Sequence, residues 1–363
     1  MTSLSADDLV RLRMANLLLS TSQARTPAEV VQWMGAMQAQ EINSGKWSLG
    51  VRIPGATESD VDGALRRGEV LRTWPMRGTI HLVPPQDARW MLATTGRRAL
   101  SGLQARWDYL ELDEATVTRC AATLDAALVH GNPMPRSAVL QLLTESGEDV
   151  SGQRAYHLLW YASQIGVTCL GPNEGKEQTF VRLADWAPEQ VEREHDDALR
   201  ELALRFVRSH GPVSAADFAR WAGIGATAAK KAMAANDNAV TQVTVETTTM
   251  WVTSEGPEAA SPPPAAIALP GFDEFILGYK DRSSVLPDQF KQRIVPGNNG
   301  VFRPTIVLDG QVAGTWRRTA RAKADIIDVE LFESLPRRRQ GLVEGAFEPY
   351  SHFLGKALQV RLA

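Results

Sequence analysis

The chain has 363 residues, a formal net charge of −3, and a composition that is 44% hydrophobic and 22% charged. These values are typical of a globular protein with about two or three domains. No apolar run reaches the ~18 residues that a membrane-spanning helix needs, and no secretory signal is present, so we expect a cytoplasmic protein without membrane contact. Two cysteines, Cys120 and Cys169, are too few for a disulfide framework or a cysteine-based metal site.

Two helices are predicted within the first 37 residues. Ser5 with Asp8 three residues later is typical of a capping box, and Thr26 followed by proline marks a second helix start. Directly after the second helix stand Gln38 and Gln40, separated by one alanine. Residues two apart share a face only on extended backbone, so a common target for both amides requires extended or loop geometry. Glutamine is neither a strong base nor a nucleophile, but it donates and accepts hydrogen bonds and can therefore hold a water molecule.

The segment from 58 to 91 predicts a short helix, then two β-rich runs, then another helix. Two β-rich runs, 70–74 and 79–83, flank a proline and a glycine, and the second run is ended by two prolines. His81 lies inside the second run. Either a functional role or a hydrogen-bonded structural role fits this histidine equally well.

From about residue 115, one element order occurs twice, namely three helices followed by two β-rich runs. This is the order of a winged helix-turn-helix, although no repeat of the sequence itself accompanies it. The first occurrence comprises helices at 121–129, 136–143 and 153–165 with β-rich runs at 167–170 and 179–183. The second comprises helices at 196–209, 215–222 and 226–234 with a threonine- and valine-rich stretch at 240–252.

The C-terminal part begins with a proline-rich stretch, 261–264, that resembles a linker. Further on, Asp309-Gly310 is a strong turn signal between the β-rich runs 301–308 and 311–316, which predicts a hairpin. Arg317 and Arg318 follow the second run. They could make the hairpin a basic ribbon for a nucleic-acid groove, or the hairpin could be an ordinary one.

The common catalytic motifs are missing from this sequence. It contains no phosphate-binding P-loop, no HExxH metal pair, no Gly-x-Ser-x-Gly nucleophile elbow and no Cys-x-x-Cys. Four tryptophans concentrate in the N-terminal quarter, where they could form core or stack on bases. Several short basic clusters, such as Lys230-Lys231, permit a basic groove on a nearly neutral protein, although each alone is typical of a solvated helix face.

Four segments, in this order, resemble the winged-helix DNA glycosylases of the AlkZ/YcaQ type. Each segment is modest alone, but their joint order is specific and spans nearly the whole chain. Glutamine at both positions of the first segment is more similar to the AlkZ branch, since the YcaQ branch has Gln-x-Asp. The segments are Gln38-Ala39-Gln40; Arg72-Thr73-Trp74 with Arg77-Gly78-Thr79-Ile80-His81; Phe272-Asp273-Glu274 with Leu277-Gly278-Tyr279-Lys280-Asp281-Arg282; and Asn299-Gly300-Val301-Phe302-Arg303-Pro304 running to Gly314-Thr315-Trp316.

The resemblance implies an α+β, mostly α, fold of three tandem winged helix-turn-helix units with a C-terminal β-hairpin and a concave DNA-binding surface. The units would span 1–114, 115–190 and 191–260, and a β-rich region, 261–363, would pack back on the first. The implied activity is monofunctional glycosylase action, without lyase activity, on double-stranded DNA carrying cationic N7-alkylguanine-type lesions. Some relatives unhook interstrand crosslinks made by alkylating natural products, in repair or self-resistance.

In this interpretation Gln38 and Gln40 are catalytic and hold a water beneath C1′. We expect no metal and no cofactor, and a monomer. The residues expected to bind DNA combine cations with polar side chains. They are Arg72, Arg77, Thr79, His81, Lys280, Arg282, Asn298, Asn299, Arg303, Arg317 and Arg318.

Two other classes of protein stay open from the sequence. A non-catalytic winged-helix transcriptional regulator would bind undamaged DNA at a defined sequence and release no base. A protein that sequesters a DNA-damaging drug in its concave surface would bind the drug in the absence of DNA.

Overall fold

The computed structural model describes residues 2–255 and 261–362, and it divides the chain into two compact units. The first unit combines the N-terminal residues up to 61 with 200–221 and with the chain from 225 onward. The second unit comprises 62–199 and 222–224. The domain boundaries expected from the sequence, 1–114, 115–190, 191–260 and 261–363, are not tested by this division and stay a prediction.

The N-terminal elements confirm both predicted helix starts. At the first, Ser5 accepts a hydrogen bond from the backbone N–H of Asp8, whose carboxylate accepts in return from the backbone N–H of Ser5. At the second, the Thr26 side chain accepts from the Glu29 N–H. These elements are β1 (Thr2–Leu4), α1 (Ala6–Asn16), α2 (Pro27–Met34), β2 (Met37–Gln38), α3 (Ile42–Gly50) and α4 (Glu58–Arg66).

The second unit contains helices packed on a sheet, with the strand order β4-β3-β6-β7-β5. Its buried apolar cluster joins Trp74 and Ile80 of the sheet to the helices that follow, through residues such as Leu124 and Leu159. The elements are β3 (Leu71–Met76), β4 (Thr79–Val83), α5 (Ala88–Thr95), α6 (Arg97–Leu100), α7 (Gln104–Leu110), α8 (Glu114–Ala127), β5 (Met134–Pro135), α9 (Arg136–Glu145), α10 (Gln153–Gln164), β6 (Thr168–Leu170), β7 (Thr179–Arg182) and α11 (Leu183–Trp186). The predicted order of three helices and two strands is therefore present.

The two β-rich runs predicted on either side of Gly78 are the strands β3 and β4, which pair as a hairpin. Arg77 and Gly78 both have positive φ, 55° and 67°, which gives the two-residue turn a backbone twist that suits a hairpin. Arginine adopts this conformation at a steric cost that glycine avoids. The ladder pairs Thr73 with His81 and Met76 with Thr79, and the register shifts between these pairs. Pro75 falls in this irregularity, where a missing N–H is tolerated.

The next elements repeat the order of three helices and a hairpin. They are α12 (His195–His210), α13 (Ala215–Ala222), α14 (Ala226–Ala234), β8 (Val240–Val245) and β9 (Thr248–Thr253). In the first unit β8 pairs with β9 on one side and, in parallel, with β1 on the other. Helix α14 exposes Lys230 and Lys231, whereas α10, the corresponding helix of the second unit, is buried over most of its surface.

The C-terminal elements form a five-stranded sheet in the order β10-β11-β12-β13-β14, flanked by helices. They are β10 (Ala266–Leu269), α15 (Glu274–Leu277), α16 (Lys291–Ile294), β11 (Thr305–Leu308), β12 (Gln311–Thr319), β13 (Asp325–Leu331), α17 (Arg337–Gly345), α18 (Glu348–Leu354) and β14 (Leu358–Leu362). This region packs on the N-terminal elements of the first unit, as Trp47 shows by donating to the Ala268 carbonyl.

The hairpin predicted at Asp309-Gly310 is present, but it is not a free ribbon. Its strands β11 and β12 are inner strands, covered by β10 on one side and β13 on the other. Of its two turn residues, Gly310 is buried, and a Cβ there would lie 2.6 Å from a methyl group of Val10, whereas Asp309 is exposed. The ordinary-hairpin alternative therefore describes this element.

Candidate active site

The two glutamines of the first motif lie in the first unit, just after α2. Gly35, with φ of 78°, ends that helix, and Gln38 occupies β2, so the extended geometry predicted for it is confirmed. Gln40 lies in a bend two residues beyond the end of the strand. Gln38 is buried and only 7% exposed, whereas Gln40 is exposed. The motif therefore presents one amide from inside the unit and one at its surface.

A buried carboxylate, Glu274, contacts the backbone of Gln38. The Gln38 N–H donates to Oε1 of Glu274 across 3.3 Å. Glu274 is 1% exposed, and its other oxygen, Oε2, accepts from Nε1 of Trp221 at 3.1 Å and lies 3.4 Å from Nε2 of His210. The sequence motif did not assign these three side chains to the site.

The neighbouring Asp273 anchors this segment to α3. It accepts two hydrogen bonds from the guanidinium of Arg52, at 2.7 and 2.9 Å, and a third from the Ser48 hydroxyl. Burial alone would raise the pKa of Asp273, but the Arg52 charge and these hydrogen bonds hold that pKa below its ordinary value. On the other side, Phe272 has a φ of 61°, a conformation that a bulky residue seldom adopts.

The cations after Glu274 have different surroundings. Lys280 is exposed. Arg282 is half-buried, donates from Nε to the Ile276 carbonyl at 2.6 Å, and lies over the Phe302 ring at 5.1 Å. Burial, and then the nearby Arg220 charge, lower the pKa of Arg282 to about 10. Lys280 is therefore available at the surface, whereas Arg282 takes part in the packing of its own segment.

The remaining predicted residues of the first unit also separate by exposure. Asn298, Asn299, Arg303 and Arg317 are exposed. Arg317 is 3.6 Å from Asp328, and its side chain is 80% exposed. Arg318 points the other way and donates from Nε to buried Asp325 at 2.7 Å.

The predicted residues of the second unit lie on its hairpin. Arg77 and Thr79 are half-buried, whereas Arg72 is only 3% exposed and His81 is fully buried. Arg72 donates to Oδ1 of Asn173 at 3.1 Å. The direct phosphate contacts expected of Arg72 and His81 are at odds with this burial, because neither side chain reaches the surface of the unit.

His81 bonds within the protein through both ring nitrogens. Nδ1 donates to the Thr79 carbonyl at 2.8 Å, and Nε2 lies 3.1 Å from Nη2 of Arg77. Burial, and then the Arg77 charge, lower the pKa of His81 to about 3. The ring is therefore neutral, and its Nε2 accepts a hydrogen bond from Arg77. These bonds fit the hydrogen-bonded structural role that the sequence left open for His81.

The tryptophans of the N-terminal quarter are mostly core. Trp47, Trp74 and Trp90 are at most 3% exposed. Trp33 is half-buried, donates to the Asn16 carbonyl and lies 4.8 Å from the Arg208 guanidinium carbon. The three buried rings cannot stack on a base.

Cys120 and Cys169 are both free and buried. Within residues 2–255 and 261–362, no helix has the length and apolar character to span a membrane.

Comparisons with known proteins define the class of this chain. The model of the AlkZ-like DNA glycosylases matches residues 31–353. The chain therefore belongs to the AlkZ-like DNA glycosylase family, which implies hydrolytic N-glycosylase activity.

Two relatives come from Streptomyces sahachiroi. An interstrand DNA cross-link repair glycosylase is 26% identical to this chain over 339 residues, which cover 88% of this chain and 87% of that protein. The solved structure of the DNA glycosylase AlkZ matches with a TM-score of 0.82 at 24% identity, covering 100% of both chains. The second match shows that this chain has the AlkZ fold.

Proposed function

We propose that this protein is a monofunctional DNA glycosylase for cationic N7-alkylguanine lesions in double-stranded DNA, and that it unhooks interstrand crosslinks made by alkylating natural products. The observation that carries the proposal is the family match over 31–353, which includes the two glutamines. The name of the Streptomyces relative, a cross-link repair glycosylase, supports the crosslink substrate.

The chemistry of the lesion explains why two amides suffice. Alkylation at N7 places a positive charge on the guanine, so the glycosidic bond is weak and the base leaves as a neutral molecule. The electron pair of the C1′–N9 bond goes to the base, and no acid has to protonate it. The protein then has to place a water at C1′ and to stabilise the oxocarbenium-like sugar.

In the proposed reaction Gln38 and Gln40 hold that water. An amide carbonyl accepts a hydrogen bond from the water, whose oxygen bonds to C1′ while its proton passes to solvent. The exposure of Gln40 supports access of DNA to this motif, and Gln38 would act from the buried side of it. No lysine is assigned to attack C1′, so we expect hydrolysis without strand cleavage by β-elimination, and no metal or cofactor is needed.

For DNA binding we propose the exposed cations and amides of the first unit. They would contact phosphates, which attract cations without regard to sequence. This set comprises Lys230, Lys231, Lys280, Asn298, Asn299, Arg303 and Arg317. We propose that Thr79 and Arg77 contribute from the second unit, and that Arg72, His81, Arg282 and Arg318 act by supporting their surroundings.

The finer architecture also belongs to the proposal. We propose that the helix and strand orders at 114–182 and 195–253 are winged-helix units, which with an N-terminal unit form a concave DNA-binding surface. Helix α14, the third helix of the 195–253 winged helix, exposes two lysines, which supports DNA contact by this helix. Helix α10, the third helix of the 114–182 winged helix, is mostly buried, so we propose no DNA contact for it. We expect the protein to act as a monomer.

The test is base release from a duplex with a single N7-methylguanine, with the products separated by mass. We expect free N7-methylguanine and an intact abasic strand. Strand cleavage at that site without heat or alkali would overturn the monofunctional assignment. If the wild type releases no base and instead protects a defined undamaged sequence, the protein is a regulator. Binding of an alkylating drug without DNA, and no base release, would indicate a sequestering protein.

A further inference from the structure

We propose that Glu274 is the positioning residue of the candidate active site and sets the place of Gln38 through its backbone N–H. This inference rests on the proposed function and adds to it a residue that neither touches the substrate nor belongs to the glutamine motif. It stands on a buried contact between segments 236 residues apart in the chain.

Glu274 lies in a buried polar environment. Its two oxygens are shared among three partners from three different segments, namely Gln38, Trp221 and His210. A buried carboxylate without such partners strongly destabilises the folded protein. The three partners therefore stabilise Glu274 at this buried position. One of its oxygens, Oε1, accepts the hydrogen bond from the backbone N–H of Gln38, the proposed catalytic residue.

A chain of polar contacts leads from Ser209 through the His210 ring to Glu274. The Ser209 hydroxyl donates to the Arg205 carbonyl at 2.7 Å, so its oxygen accepts from Nδ1 of His210 at 2.8 Å. The other ring nitrogen of His210, Nε2, faces Oε2 of Glu274. A lone pair opposite an ionised oxygen would be repulsive, so one proton lies between the two groups.

The partners of Glu274 are themselves held in place. His210 stacks on Phe206 with ring centroids 4.5 Å apart, and its carbonyl accepts from the Tyr279 hydroxyl at 2.9 Å. Gly278 allows this approach, because a Cβ there would lie 2.6 Å from the His210 ring. The residue just before Glu274, Asp273, is fixed by its two hydrogen bonds from the Arg52 guanidinium.

A rigid support of this kind has a kinetic signature. Displacing a catalytic group by about 1 Å can reduce a rate by about 100-fold without weakening binding. Glu274→Gln retains the shape of the side chain, but its single amide oxygen cannot accept from both Gln38 and Trp221, which donate to different oxygens of Glu274. We therefore expect single-turnover release of N7-methylguanine to fall about 10- to 100-fold, while the Kd for the same duplex stays within about twofold.

A double-mutant cycle separates positioning from a general structural role. If Glu274 acts through Gln38, Glu274→Gln slows the wild type but leaves the rate of the Gln38→Ala variant unchanged. If the two effects multiply, the proposal is overturned. Glu344→Gln is the matched control, since Glu344 is an exposed carboxylate on α17 and its loss should change neither rate nor Kd.

Two provisions keep the test decisive. All rates are measured at a temperature where unfolding curves show each variant fully folded. If Glu274→Gln does not fold, Glu274→Asp takes its place, because it keeps the charge but withdraws the carboxylate from the Gln38 N–H. A Glu274 variant that is as fast as wild type, while Gln38→Ala is slow, refutes the positioning role and leaves the glycosylase proposal intact. A wild type that releases no base refutes the proposed function instead.

Discussion

Nε of Arg318 lies 2.7 Å from Oδ2 of Asp325, and this ion pair gives Arg318 a different role from Arg317. Asp325 is buried and also accepts from Lys356 at 2.7 Å and from the Arg321 N–H at 2.9 Å. Burial opposes ionisation, but these hydrogen bonds hold the pKa of Asp325 at about 2. Arg318 therefore neutralises a charge inside the sheet, while Arg317 extends into solvent.

The two adjacent arginines predict two different phenotypes. Arg317→Ala should weaken DNA binding and make the slope of log K against log salt about 0.9 less negative, as for loss of one phosphate contact. Arg318→Ala should lower the free energy of unfolding by about 1–3 kcal/mol, because it leaves a buried acceptor short of a donor. Salt titrations and urea unfolding of both variants test this pair, and the reverse pattern would contradict the assignment.

His81 predicts a dependence of stability on acid. Its pKa falls from 6.5 in the unfolded chain to about 3 in the folded protein. Between these values the unfolded state binds the extra proton, so the stability due to neutral His81 is complete above pH 6.5 and is lost as pH falls. This group alone contributes a slope of up to about 1.4 kcal/mol per pH unit.

The variant His81→Gln isolates this contribution, because glutamine can still accept from Arg77 but does not titrate. Urea unfolding at a series of pH values should show a shallower acid loss for the variant than for wild type. Above pH 6.5 the two curves should run parallel, which provides the internal control. Equal slopes below pH 6 would mean that His81 is not held neutral by its surroundings.

Arg52 and Asp273 form a buried pair whose loss should be costly. Arg52→Met leaves the Asp273 carboxylate buried without its cation, and we expect a loss of about 3–5 kcal/mol in the free energy of unfolding. Adding Asp273→Asn removes the uncompensated charge, so the double variant should recover part of that loss. Thermal and urea unfolding measure both. A double variant that is less stable than the single one would contradict the electrostatic explanation.

Local signals in the sequence predicted much of the fold. The capping residues Ser5 and Thr26 mark real helix starts, and Asp309-Gly310 marks a real turn, because such signals depend on a few neighbouring residues. The position of that hairpin inside a sheet was not predictable in this way. It depends on pairing with β10 and β13, which the turn residues do not specify.

The candidate site was predicted in part for the same reason. The glutamines stand in a short motif, and Glu274 stands in a segment that carries the family resemblance but gives it no role. His210 and Trp221 meet Glu274 only through tertiary contacts, and no spacing in the sequence signals them. One missed distinction did have a signal. Successive residues on a strand face opposite sides, so Arg317 and Arg318 within β12 could not both face one surface.

The central claim is that two glutamines hold the attacking water for a base that leaves unaided. The most direct measurement is the single-turnover rate of N7-methylguanine release by wild type, Gln38→Ala, Gln40→Ala and the double variant. Gln359→Ala, a loss of an exposed amide on β14, is the matched control. We predict losses of about 100-fold for the motif variants, little change in Kd, and wild-type rates for the control. Release by the double variant at the wild-type rate would contradict the account.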